Sequence, residues 1–242
     1  MSDVRESTGL RKWGIRVGIP VVIVLLLVVG GPFVYINFIS DDAPERLRLD
    51  TQTSESTTPG ARAPQAAGAS LDGRWTVAGG SQAGYRVKEV LFGQENDAVG
   101  RTNSVTGEFI VAGTTVESGT ITVDMASIRS DETRRDNQFH GRIMSTRTFP
   151  TATFTLSQPI AVPSIPPENA EANVQVTGQL TLRGVTRPVV AELQARRTGG
   201  DIQVAGSIPI RFSDWNIPNP SAPGISTQDN GLVEFLLTFT KG

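Results

Sequence analysis

The 242 residues carry 22 Lys/Arg against 24 Asp/Glu, with seven of each sign before Leu71. This even balance, without a basic stripe, argues against a nucleic-acid partner and against strong electrostatic docking to anionic lipid. A chain with no cysteine and one histidine has no disulfides, thiolate or iron–sulfur sites, cysteine nucleophiles or histidine-rich metal centres.

The N-terminal stretch Met1–Arg16 ends in the basic residues Arg11, Lys12 and Arg16. Val17–Ser40 follows without a charge and includes VVIVLLLVV. At ~1.5 Å per residue a helix of this length spans about 36 Å, enough for a hydrocarbon core of ~30 Å with some tilt. Cations precede it and Asp41-Asp42 follow it. The positive-inside rule therefore predicts a single-pass signal-anchor in the cell membrane, with residues 1–16 cytoplasmic and the rest extracytoplasmic. The alternative is secretion after signal-peptide cleavage, since Gly30-Gly31-Pro32 could end a shorter apolar core. No small-x-small site follows the run directly, Phe33–Ile39 extends it, and no lipidation cysteine exists. Asp41–Ser70, rich in Ser, Thr, Pro, Ala and Gly, reads as a disordered linker with a span of roughly 30 Å.

From Leu71 to Gly242 the pattern is strands, in a domain of about 170 residues, long enough to be stable through its core alone. Thr114–Val123 reads as a strand, with Gly113 and Gly119 as turn or bulge candidates. Asp124–Met144 has no period of two; Ser130 or Asp131 can cap a short helix through Glu132–Phe139. Along Thr151–Ser157, Ala152, Phe154 and Leu156 alternate with hydroxyl residues. Val174, Val176, Leu180 and Leu182 share one strand face; Gly184 ends that strand, Pro188 fixes the next entry, and Val189, Ala191, Leu193 and Ala195 share the following face. Ile202 to Phe212 is a further long strand. In Leu232–Thr240, Val233, Phe235, Leu237 and Phe239 form one face, and Leu232 and Leu236 flank Glu234 on the other. A strand apolar on both sides calls for a covering element outside. The expected fold is all-β: a closed antiparallel barrel of about eight strands with one helical excursion, preceded by one transmembrane helix.

Candidate chemistry is sparse. His140, Ser145 and Asp136 could formally make a triad, but no nucleophile elbow surrounds any serine, and a loop histidine is the plainer reading. Asp131, Glu132, Asp136 and Asn137 offer oxygen ligands without the alternation and glycine turn of a calcium loop; Arg134, Arg135 and Arg142 nearby favour ion pairs. Arg183 and Arg187, flanking the hairpin turn, read as solvated rim residues rather than ligand clamps. A barrel of this size is either filled by its side chains or holds one small ligand, and periodicity leaves both open.

Several blocks carry a resemblance. The segment GQLTLRGVTRP (Gly178–Pro188), Arg135-Asp136 followed by Phe149-Pro150 and Thr151–Ser157, the opening Ser81–Val87, and Ile208–Trp215 occur in order across roughly Leu71–Lys241. Together they resemble the YceI-like family, extracytoplasmic lipocalin-like barrels that bind polyisoprenoid lipids. Tyr85 stands where that family usually has Phe, and Glu89 where many members have His. Arg135 and Asp136 match that family's Arg-Asp pair; they read as fixing the helix against the barrel by hydrogen bonds, with ligand contact as the alternative. The resemblance implies a non-catalytic carrier for an apolar lipid, a polyisoprenoid or isoprenoid quinone. Tyr85, Phe154, Leu180, Leu182, Phe235, Leu237 and Phe239 are then lumen candidates, with no cofactor beyond the lipid. The alternative is a structural or partner-docking barrel with a filled lumen. An enzyme acting on isoprenoids fits least, because candidate general bases are few.

Overall fold

Period-two alternation builds the wall. The structure, a computed structural model, describes residues 43–49, 70–91, 93–162 and 166–242. The strands are β1 (Gly73–Val77), β2 (Gln82–Leu91), β3 (Gln94–Thr102), β4 (Val105–Ala112), β5 (Thr115–Asp124), β6 (Thr151–Leu156), β7 (Ile160–Ala161), β8 (Glu171–Leu182), β9 (Val185–Thr198), β10 (Asp201–Arg211), β11 (Ile225–Thr227) and β12 (Asn230–Lys241). Eight of them form a closed antiparallel ring in the order β1-β4-β5-β6-β8-β9-β10-β12, and β12 returns to β1 through Trp75↔Lys241, Thr76↔Thr240 and Val77↔Phe239. The all-β barrel of about eight strands is therefore as expected. Past the seam, β12 pairs with β2 over Leu232–Leu236, and β2 forms a long hairpin with β3.

Arg183 and Gly184 both have positive φ, 48° and 75°, and Leu182 pairs with Val185. Two left-handed residues make the type I′ turn whose twist matches the flanking strands. A side chain at position 184 would also strike the Phe149 ring at 2.5 Å. Pro188 lies inside β9, opposite Gln179, rather than at its entry. It is tolerated there because β9 pairs with β10 only from Glu192 onward, so Pro188 has a neighbour on one side alone. Gly113 takes the β4–β5 turn with φ 59°, but the bulge falls beside Gly119: Ile110 pairs with Ser118 and Val111 with Val116, stranding Glu117.

The helical excursion is present, shifted and split. Helix α1 spans Thr133–Gln138 and runs into one turn of π-helix over Phe139–Ile143. Its cap is Glu132, which accepts from Arg134 N, instead of Ser130 or Asp131; Ser130 instead accepts from Glu132 N at 3.3 Å. This excursion, the Met125–Ser127 turn and the Phe212–Trp215 turn cover part of the barrel end where β2 and β3 project.

The structure departs from the expected linker at residues 43–49. These lie on the outside of the barrel, with Leu47 and Leu49 buried against Ala205 and Leu236. Two leucines and a row of backbone carbonyls suffice: Arg86 donates to Pro44 O, Arg101 to Glu45 O, and Arg196 to Leu49 O. This strap is the covering element that the two-sided apolarity of β12 requires. Residues 41–42 and 50–69 of the expected linker lie outside the described residues, as do the expected cytoplasmic segment Met1–Arg16 and anchor Val17–Ser40. Among the described residues no helix is long and apolar enough to cross a membrane.

Candidate functional site

Inward side chains leave the barrel unfilled. An upper cavity of about 280 Å³ is lined by strand residues including Phe109, Phe154, Val174, Leu180, Phe235 and Phe239. A lower cavity of about 460 Å³ lies under the helical excursion, between Tyr85, Phe139, Met144, Leu182, Phe212 and Ile217. Ala83, Val123, Ala152, Leu182 and Val233 line both, so the two adjoin at a waist. Each is in the size range of a small-ligand pocket, or just below it.

The seven lumen candidates all reach these cavities. Phe154, Leu180, Phe235, Leu237 and Phe239 line the upper one, Tyr85 the lower, and Leu182 both. Two of the aromatics lie over glycines on the neighbouring strand. A Cβ at Gly178 would meet the Phe154 ring at 2.2 Å, and one at Gly100 would meet the Tyr85 ring at 2.4 Å. These glycines let the rings lie flat along the wall instead of plugging the bore.

The two chambers differ in chemistry. The upper lining is apolar almost throughout. The lower is bordered by Glu89, Glu132, Arg134, Arg135 and Gln138; Glu89 Oε1 stands 3.4 Å from Arg135 Nη2 and accepts from Asn96 Nδ2 at 2.9 Å. Arg135 also pairs with Asp131, one helical turn away. Burial works against the Arg135 charge, but Asp131 and Glu89 outweigh it and hold the guanidinium more firmly protonated than usual. Tyr85 stacks on Phe139, with centroids 4.9 Å apart and planes 18° from parallel. Burial pushes its phenol well above the ordinary value, against the pull of Arg135.

Arg135 takes the anchoring role expected of the pair, whereas Asp136 fastens the turn that leads into α1. Arg135 ties α1 to β2 through Glu89, and Asp136 accepts from both the backbone N and the hydroxyl of Ser130, at 2.8 and 2.7 Å. The formal triad does not assemble: His140 Nε2 lies 3.0 Å from Ile128 O, and Ser145 Oγ donates to Gly141 O. Asp131, Glu132 and Asp136 accept from Arg135, Arg134 N and Ser130 respectively, and Asn137 is exposed. Arg142 donates to Asn219 O at 3.1 Å rather than to a carboxylate. The two rim arginines are not simply solvated. Arg183 donates to Asn216 O and Arg187 to Asp214 O, pinning the β8–β9 turn to the Phe212–Trp215 segment.

Sequence reasoning missed the lower chamber's own walls: Met125, Ile128, Phe139, Ile143 and Ile217. Phe139 carried the one available signal, as the sole aromatic of the aperiodic Asp124–Met144 stretch.

Residues 75–239 match the family profile described as the YceI-like domain. A UPF0312 protein of Vibrio vulnificus is 27% identical over 128 residues, covering 49% of this chain and 64% of that protein. Among solved structures, a polyisoprenoid-binding domain from Saccharophagus degradans superposes with a TM-score of 0.55 at 16% identity, over 69% of this chain and 98% of that one. BcnA of Burkholderia cenocepacia superposes with a TM-score of 0.51 at 20% identity, over 65% and 95%. At those identities the likeness is one of fold.

Proposed function

The chain belongs to the YceI-like family, and from that membership we propose that its barrel carries an apolar lipid, a polyisoprenoid or isoprenoid quinone, in storage or transfer without chemistry. The observation that carries this reading is the unfilled bore: two adjoining cavities among apolar strand side chains in a fold that could have packed its interior. The tail occupies the upper chamber and passes the waist at Leu182. A more polar end rests in the lower chamber beside Tyr85 and the Glu89–Arg135 pair. The sequence supports a membrane tether through Val17–Ser40, with the barrel on the extracytoplasmic side.

The energetics suit exchange. Moving a tail from water into the bore gains ~0.8 kcal/mol per methylene, whereas moving it from a bilayer gains almost nothing. Loading from a membrane is then near balance and reversible, and a tether supplies the high local concentration.

Mass spectrometry of organic extracts from the purified protein tests the reading. An isoprenoid lipid co-purifying in stoichiometric amount is the expected result. Lipid-free extracts that stay so after incubation with polyprenol or quinone vesicles would leave a structural barrel.

A further inference from the structure

The strap limits where a membrane could stand. Pro44 is fixed on the outer wall by Arg86, and Leu47 and Leu49 fasten the segment beyond it. Arg86 lies opposite Leu232, two residues from the start of β12 at Asn230 and nine from its end at Lys241. At ~3.4 Å per residue these are about 7 Å and about 30 Å along the wall. The charge-free run ends at Ser40, and the four steps from there to Pro44 reach at most about 14 Å. A bilayer anchored through that run can therefore reach the barrel end nearer Arg86 and not the far one. That is the end where β2 runs on from Arg86 to Leu91, about 17 Å further, and where Leu91, Pro220, Pro223 and Ile225 border the lower cavity. Val90, at the tip of β2, is 40% exposed, one of two large apolar side chains exposed among the described residues.

We propose that the docked strap orients the barrel with its lower mouth on the lipid surface, the β2 tip and Ile225 resting in the interface, so that lipid passes from bilayer to bore without crossing water. The partner is a bilayer, met through apolar contact. The orientation rests on the membrane tether of the preceding reading.

The absence of cysteine makes a direct test possible. Val90→Cys at the lower mouth, Val190→Cys on the flank and Thr114→Cys at the upper end are each labelled with an environment-sensitive dye in the full chain. Each variant is mixed with phosphatidylcholine vesicles containing headgroup-nitroxide lipid. The Val90 label should lose most of its fluorescence while the other two keep theirs. Equal quenching at all three sites, or strongest quenching at Thr114, overturns the orientation even when the protein floats with the vesicles. Failure to float removes the tether, and the orientation with it. A flexible insert of about 20 Gly/Ser residues between Asp42 and Ala43 adds roughly 25 Å of span. It should erase the contrast among the labels, and contrast that survives the insert overturns the strap as its cause.

Discussion

The two faces of β12 solve opposite problems with the same backbone. Outward, Glu234 and Leu236 are each 2% exposed, with Leu47 and Leu49 of the strap packed on Leu236. Glu234 Oε1 accepts from Arg86 Nε at 2.7 Å, Arg101 stands 3.8 Å from Oε2, and Arg86 turns its other arm to Asp97 at 3.0 Å. Burial weighs against both guanidiniums. Arg86 is nonetheless held more firmly protonated by Glu234 and Asp97, whereas Arg101, with Glu234 against the neighbouring Arg86, is held less firmly. Inward, Val233, Phe235, Leu237 and Phe239 face space that no side chain fills. The outer layer pairs its charges, although Glu234 Oε2 and Arg101 Nε lack a hydrogen bond, and the inner layer packs apolar side chains around space left empty. Stability resides in the wall and its cover, and the bore is left free for a guest.

Breaking the outer face should cost most. Glu234→Leu leaves Arg86, its side chain 5% exposed, without its nearest carboxylate. Removing one partner of a buried pair costs about 3–5 kcal/mol, read as a fall in denaturant midpoint at unchanged m-value. A loss below about 1 kcal/mol would mean that water reaches the cluster.

Leu49→Ala should act locally. The cavity it leaves would cost about 2–5 kcal/mol in a fixed core, but the strap can lift away, so the global loss stops at the free energy of docking. Limited proteolysis should show new cleavage within 43–49, with the barrel's melting temperature changed by only a few degrees.

Leu182→Trp probes the inner face at the waist. In a filled core the larger ring would destabilise by about 1–3 kcal/mol through overpacking. Here it should leave the melting of delipidated protein nearly unchanged and block uptake of tails longer than the lower chamber holds. A destabilised variant that still takes up lipid would reverse the contrast between the faces.

The smallest effect is spectroscopic. A fragment of residues 43–242 contains Tyr85 as its one tyrosine. Its phenol is raised in the folded state, so the stability it contributes is complete below the ordinary value near pH 10 and declines as pH rises beyond it. Phenolate absorbance should therefore appear above that pH, together with unfolding. A normal titration near pH 10 in folded protein would place Tyr85 in water.

The contrast also explains which parts were legible in the sequence. Residues Val174–Ala195 alternate because one neighbour is bore and the other solvent, which exposed Leu180 and Leu182 as candidates, whereas Phe235, Leu237 and Phe239 came from β12, apolar on both faces. β3, with Gln94, Glu95, Asn96 and Asp97, carries no apolar alternation because it pairs with β2 alone at a projecting edge, so nothing marked it as strand. The lower chamber is walled by a helix, turns and a loop whose apolar residues follow no shared period. The strap was illegible for a related reason: two leucines among polar residues resemble a linker until Ala205 and Leu236 supply the other half of the contact.

The ring closes through three residue pairs, whereas β8 and β9 share twelve. Wherever a closed ladder yields, it yields at its shortest stretch, because fewer hydrogen bonds must break there at once. The barrel thus behaves less like a pipe than like a bracelet with a clasp, its last strand fastened to its first beside the upper chamber. A clasp allows the circumference to widen briefly while the remaining seven strand pairings hold. On the carrier reading, a tail bulkier than the resting bore would then settle without the rest of the wall losing its register.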